Sequence, residues 1–158
     1  MKPSLWKTQN NLAEPARETS IPLLNQHLTG AIDLMLQAKQ AHWNVKGPNF
    51  AALHLLFDEV AKELDELSDE LAERAVALGG MAHGTIQVVA HDTRLPAYSL
   101  ELSWGCDHVQ ELSGALAQLG KSVRAADEAG DAGTADLFTQ TSRTVDKLLW
   151  KVEAHRCE

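Results

Sequence analysis

Five side chains of this sequence have the types and spacing to hold a metal ion. His54 and Asp58 stand four residues apart in "HLLFDEVAKELDELSDELAERA", and Asp69 and Glu73 repeat that step further along the same run. Residues i and i+4 of a helix share a face. The 15 positions from His54 to Asp69 turn a helix only ~60° beyond whole turns, so both pairs lie along one stripe. His42, in "KQAHWNVKGPNF", offers a second imidazole just before a break at Gly47-Pro48. Imidazole with carboxylates suits iron, and an open nitrogen–oxygen shell leaves positions for an oxidant. Anionic oxygens also favour the harder ferric product. Plainer readings stand beside these. An acidic helix face is usually solvated, a histidine near a helix end usually caps or packs, and Trp43 at such an end is usually packing.

The spacing carries a geometric difficulty. His54/Asp58 and Asp69/Glu73 are separated by ~22 Å along a helix, too far to share one metal within a chain. Two antiparallel copies across a two-fold axis would set each first pair against the partner's second pair and make two identical sites. This favours an inter-subunit site over the intra-bundle di-iron site, which needs Glu and Glu-x-x-His contributions from several helices. No convincing set of the latter is present.

Helical periodicity supplies the elements that must position these groups. After a polar, Pro-containing arm at residues 1–19, Ser20 is a candidate N-cap with Pro22 in the first turn. Ile21, Leu24, Leu28, Ile32, Met35, Ala38, His42 and Val45 then recur at helical spacing. Asn49 is a candidate cap for a second helix that ends at Gly79-Gly80, with Leu53, Phe57, Val60, Leu64, Leu67, Leu71 and Leu78 as its core stripe. A long connection over 81–103 carries a short apolar piece at Ile86–Ala90. A third helix is expected from Trp104 to Ala129, closed by "AGDAG", and a fourth from Thr134 through Val152. Four long helices with one long crossover make an all-α, ferritin-like four-helix bundle.

Bulk properties bound the rest. The 158 residues suffice for one domain with a full core, here residues 20–158 behind a flexible arm. A net charge of −8 argues against a generic nucleic-acid glue. No run reaches membrane-spanning length and no secretory leader is visible, so a cytoplasmic protein is expected. Cys106 and Cys157 are too few and too distant in sequence to suggest a disulfide framework. His27, His83, His91, His108 and His155 lack partners at metal spacing and read as structural or surface groups.

The stretches "KQAHWNVKGPNFAALHLLFDE", "DELAERAVALGG" and "TADLFTQTSRTVDKLLWKVEAH" resemble the Dps proteins, or mini-ferritins, over about residues 20 to 156. The resemblance implies that His42, His54 and Asp58 are iron ligands from one subunit, with Asp69 and Glu73 supplied by its partner. It places Trp43 beside the iron site, where it intercepts reactive oxidants. It further implies a hollow homo-dodecamer with ferroxidase sites on two-folds and oxidation of Fe²⁺, preferentially by hydrogen peroxide. Storage of a ferric mineral then protects DNA under oxidative stress. Asp131 and Asp136 are candidates for iron-attracting pores, although helix N-termini favour Asp anyway. DNA binding, a family trait with nucleoid association, finds little here: the arm sets Lys2, Lys7 and Arg17 against Glu14 and Glu18, an excess of one positive charge.

Overall fold

A computed structural model describes residues 5–124 and 131–157. In chain order the helices are α1 (Glu14–Asn44), α2 (Phe50–Ala77), α3 (Ile86–Asp92), α4 (Gly105–Arg124) and α5 (Ala132–Glu153). There is no strand among the described residues, only an isolated bridge between Lys46 and Trp104. The four long helices bury leucine-rich stripes against one another, and α3 lies across α1 on the long connection from α2 to α4. The expected carboxyl end of α4 at Ala129 falls outside the described residues, as does Lys2 of the arm.

The first helix starts at Glu14, not at Ser20. Pro15 in the first turn and Glu14 beside the helix dipole make a workable start upstream, since a first-turn proline loses no intrahelical donor. Ser20 is consequently a buried interior residue and Pro22 lies inside the helix. The arm ahead of it is tied down. The Trp6 amide donates to the Gly79 carbonyl at 2.8 Å, and the Arg17 guanidinium donates to the Leu78 carbonyl at 3.1 Å. Leu5 and Leu12 pack on the core.

Every residue of the expected α2 stripe is buried. The α1 stripe drifts from the expected one: Ala31, Leu34 and Ala41 are buried, whereas Ile32, Met35 and His42 are only half-buried. A helix of 31 residues accumulates the mismatch between its own 3.6-residue turn and a simple three-four pattern.

The ends of α1 and α4 are joined by backbone. The Lys46 amide donates to the Ser103 carbonyl at 2.8 Å, and the Gly105 amide donates to the Lys46 carbonyl at 3.2 Å. Two glycines permit this approach. Gly47 adopts φ +107, and a Cβ on Gly105 would stand 2.4 Å from Leu53 Cδ1. Beneath the junction, buried His108 shares a 2.6 Å hydrogen bond with Tyr98 on the crossover.

The cysteines correct the sequence reading: Cys106 and Cys157 form a disulfide across 51 residues, with Cα atoms 5.7 Å apart. Sequence distance is a poor guide here because α4 and α5 are of matched length and antiparallel. The start of one therefore meets the end of the other.

Candidate metal centre

His42, in the last turn of α1, and His54, in the second turn of α2, face each other across the Gly47-Pro48 turn. Their rings stack at a centroid distance of 3.7 Å and an angle of 22°. Each ring is pinned by the other residue's backbone: His42 Nδ1 lies 2.7 Å from the His54 carbonyl, and His54 Nδ1 lies 2.8 Å from the His42 carbonyl. A carbonyl can only accept, so each Nδ1 is the protonated donor. With Nδ1 committed in this way, the nitrogen left to bind a metal ion is Nε2. Metal-binding histidines are commonly oriented this way, by a carbonyl on the far nitrogen.

Asp58, one turn beyond His54, is half-buried between two ammonium groups, Lys39 Nζ at 2.7 Å and Lys62 Nζ at 2.8 Å. Hydrogen bonds from Lys39 and then Lys62 hold its carboxyl far below the usual carboxylate range, against the opposing effect of burial. The group is therefore an anion, whose charge the lysines balance when no cation is present. Sequence reasoning missed both lysines. The signals were available, because Lys62 stands i+4 from Asp58 and Lys39 lies one turn before His42.

The other two candidates are elsewhere. Asp69 and Glu73 are exposed on α2, ~22 Å along the axis from the histidine end. Among the described residues, no three His, Cys, Asp or Glu side chains gather into a metal-binding group. His42 and His54 thus form a pair at the start of α2 with Asp58 one turn further on, held by its lysines, while Asp69 and Glu73 are exposed on later turns. Trp43 (65% exposed), Phe50 and Leu55 (71% exposed) surround the histidine end with uncovered apolar surface. Phe50 also stacks on His54 at 5.1 Å.

Asp131, read from the sequence as a pore candidate, is instead buried. It caps α5, accepting from the Gly133 and Thr134 amides, and receives Arg74 Nη2 at 2.8 and 3.0 Å. A carboxylate committed to a helix end and an arginine cannot line a channel. Asp136 is exposed. Of the remaining histidines, His27 and His108 lie in the core, His91 pairs with Asp92, and His155 caps the Lys151 carbonyl through Nδ1.

This architecture, four long helices with a crossover carrying a short one, is that of a ferritin-like domain, and that family matches residues 21–156. The DNA protection during starvation protein of Agrobacterium fabrum is 46% identical over 153 residues, 94% of each chain. DNA protection during starvation protein 1 of Deinococcus radiodurans is 35% identical over 90% of this chain and 71% of its own. DpsC from Streptomyces coelicolor superposes with a TM-score of 0.93 at 31% identity, covering 98% of this chain and 93% of its own. Dps from Mycobacterium smegmatis gives 0.89 at 29%, covering 94% and 93%. The chain belongs to the Dps family of ferritin-like proteins.

Proposed function

We propose that this protein is a ferroxidase and iron-storing mini-ferritin, active as a homo-oligomer. His42, His54 and Asp58 of one subunit bind iron together with Asp69 and Glu73 of a second copy. The observation that carries this reading is the paired histidines: two stacked imidazoles, each with Nδ1 committed to a carbonyl, leave two Nε2 donors one helical turn before the Asp58 carboxylate. The fourth and fifth ligands come from outside the chain. The exposed stripe of Asp69 and Glu73 is suited to supply them when two α2 helices run antiparallel. The uncovered Trp43, Phe50 and Leu55 are the kind of surface such a contact buries.

Ferrous iron is the substrate. At a site holding two ions, each gives one electron to hydrogen peroxide: the O–O bond breaks, two ferric ions and two hydroxides result, and no hydroxyl radical is released. Entering iron replaces Lys39 and Lys62 as the counter-charge of Asp58. Trp43 stands next to His42, where an indole can give up an electron to a stray oxidant. The ferric product is stored as mineral in a hollow dodecameric shell in the cytoplasm, and removing iron and peroxide together protects DNA.

Direct DNA compaction is the second reading, and the arm adds little to it. Arg17 is spent on the Leu78 carbonyl, and the chain carries a net charge of −8. Any such contact would weaken steeply with salt, so an electrophoretic shift at low and high salt separates it from the iron chemistry.

Complementation tests the shared site. One chain carries His54→Ala with Asp58→Ala, another Asp69→Ala with Glu73→Ala, and each alone oxidises little Fe²⁺. In an equal co-refolded mixture, half the two-fold pairs are mixed and each of these has one whole site of two. About a quarter of wild-type peroxide-driven oxidation should return. No return in a mixture shown by mass spectrometry to contain mixed pairs would refute the shared site. Failure of the wild-type assembly to oxidise iron would refute the function itself.

A further inference from the structure

The Cys106–Cys157 pair is not used by the iron chemistry. Cys106 is exposed in the first turn of α4, and Cys157 is exposed beyond the end of α5. The start of α4 is held to the end of α1 through Lys46, so the disulfide closes the same end of the bundle that carries His42 and His54. A thiol in the first turn of a helix faces the unpaired amides and the positive end of the helix dipole, which favour its thiolate. The thiolate is the form that reacts with peroxide. The second sulfur is already within bonding reach, since the Cα atoms are 5.7 Å apart.

We propose that Cys106 and Cys157 form a metal-free peroxide-consuming site, cycling between dithiol and disulfide. The Cys106 thiolate attacks one oxygen of hydrogen peroxide. The O–O bond breaks, the sulfur becomes a sulfenic acid, and hydroxide leaves. The Cys157 thiol then attacks that sulfur: the S–S bond forms, the sulfenic hydroxyl departs, and the thiol proton and hydroxide combine as water. Two thiols and one peroxide thus yield one disulfide and two waters. A small-molecule or protein dithiol restores the reduced pair by thiol–disulfide exchange. The roles are unequal because only Cys106 lies at a helix N-terminus. Cys106 is the attacking group, and Cys157 resolves it before further oxidation to the irreversible sulfinic acid. This site works without iron and stands or falls apart from the ferroxidase reading.

The test uses full-length protein reduced with dithiothreitol, freed of metal by chelation and desalted. On addition of hydrogen peroxide, each chain should lose two thiols per peroxide consumed. Peptide mass mapping should show the intrachain 106–157 link, and the rate should exceed that of the same chain in urea by about tenfold or more. Cys157→Ser should react as fast but stop at a sulfenic acid trapped by dimedone on Cys106. Cys106→Ser should fall to the rate of the unfolded chain. Oxidation of the folded protein no faster than of the unfolded one would overturn the proposal. So would an undiminished rate in Cys106→Ser, or links formed only between chains.

Discussion

Replacing Arg74 with alanine should destabilise the fold by about 3 kcal/mol, although Arg74 is not itself a candidate iron ligand. The side chain of Asp131 is 1% exposed and that of Arg74 24% exposed, so the pair is buried on the acidic side. Arg74 Nη2 reaches both Asp131 oxygens, and its Nε donates to Thr134 Oγ1 at 3.2 Å. Breaking a buried pair from one side generally costs about 3–5 kcal/mol. The lower end applies here, because Asp131 keeps the Thr134 hydroxyl and the Gly133 and Thr134 amides. Asp131→Ala should cost about 2 kcal/mol, roughly half from the lost cap and half from the unpaired guanidinium, which still reaches water. The double variant leaves no stranded charge and should cost about 3 rather than 5 kcal/mol, a coupling of about 2.

The assay is urea unfolding followed by circular dichroism at one chain concentration, since assembly adds to apparent stability. The pH dependence has a definite sign. Burial raises the Asp131 carboxyl, but the Thr134 hydroxyl, Arg74 and the Thr134 amide outweigh it, and the net shift is downward. The pair's contribution is therefore complete above the unfolded aspartate value of 3.8 and is lost as pH falls below it. Asp131→Asn should lack that loss. Additive single costs, or an Arg74→Ala effect below about 1 kcal/mol, would show that apolar packing alone seats the start of α5.

Two further outcomes bear on stability. Reducing the Cys106–Cys157 bond opens a loop of 51 residues, and the chain-entropy relation gives a loss of about 4 kcal/mol; denaturation with and without reductant measures it, and an unchanged midpoint would contradict it. His27 is buried, and burial followed by the charge of Arg94 lowers its pKa from 6.5 to about 4. The unfolded chain therefore binds the proton first as pH falls, and about 3 kcal/mol should be lost between pH 6.5 and 4. His27→Gln should flatten that slope, and an equal slope in the variant would refute the assignment.

The all-α bundle, the α2 stripe and the turn at Gly47-Pro48 were legible in the sequence because they rest on local rules. A 3.6-residue period places the leucines, a Gly-Pro step breaks a helix, and an i+4 spacing puts His54 beside Asp58. Tertiary structure decided what depends on contacts between distant segments. The arm and the first turns of α1 are seated by Trp6 on Gly79 and Arg17 on the Leu78 carbonyl, contacts between segments that no local cap signals. Asp131 carries the same letter whether it lines a pore or caps a helix, and only Arg74, 57 residues away, distinguishes the two. Nor could sequence order foresee that Cys106 and Cys157 meet, since antiparallel helices bring together ends that the chain holds 51 residues apart. The ligand types were written in the chain, but their poise was not. The stacking of His42 on His54, the carbonyls that commit each Nδ1, and the seating of Lys39 on Asp58 all follow from how the end of α1 packs against the start of α2.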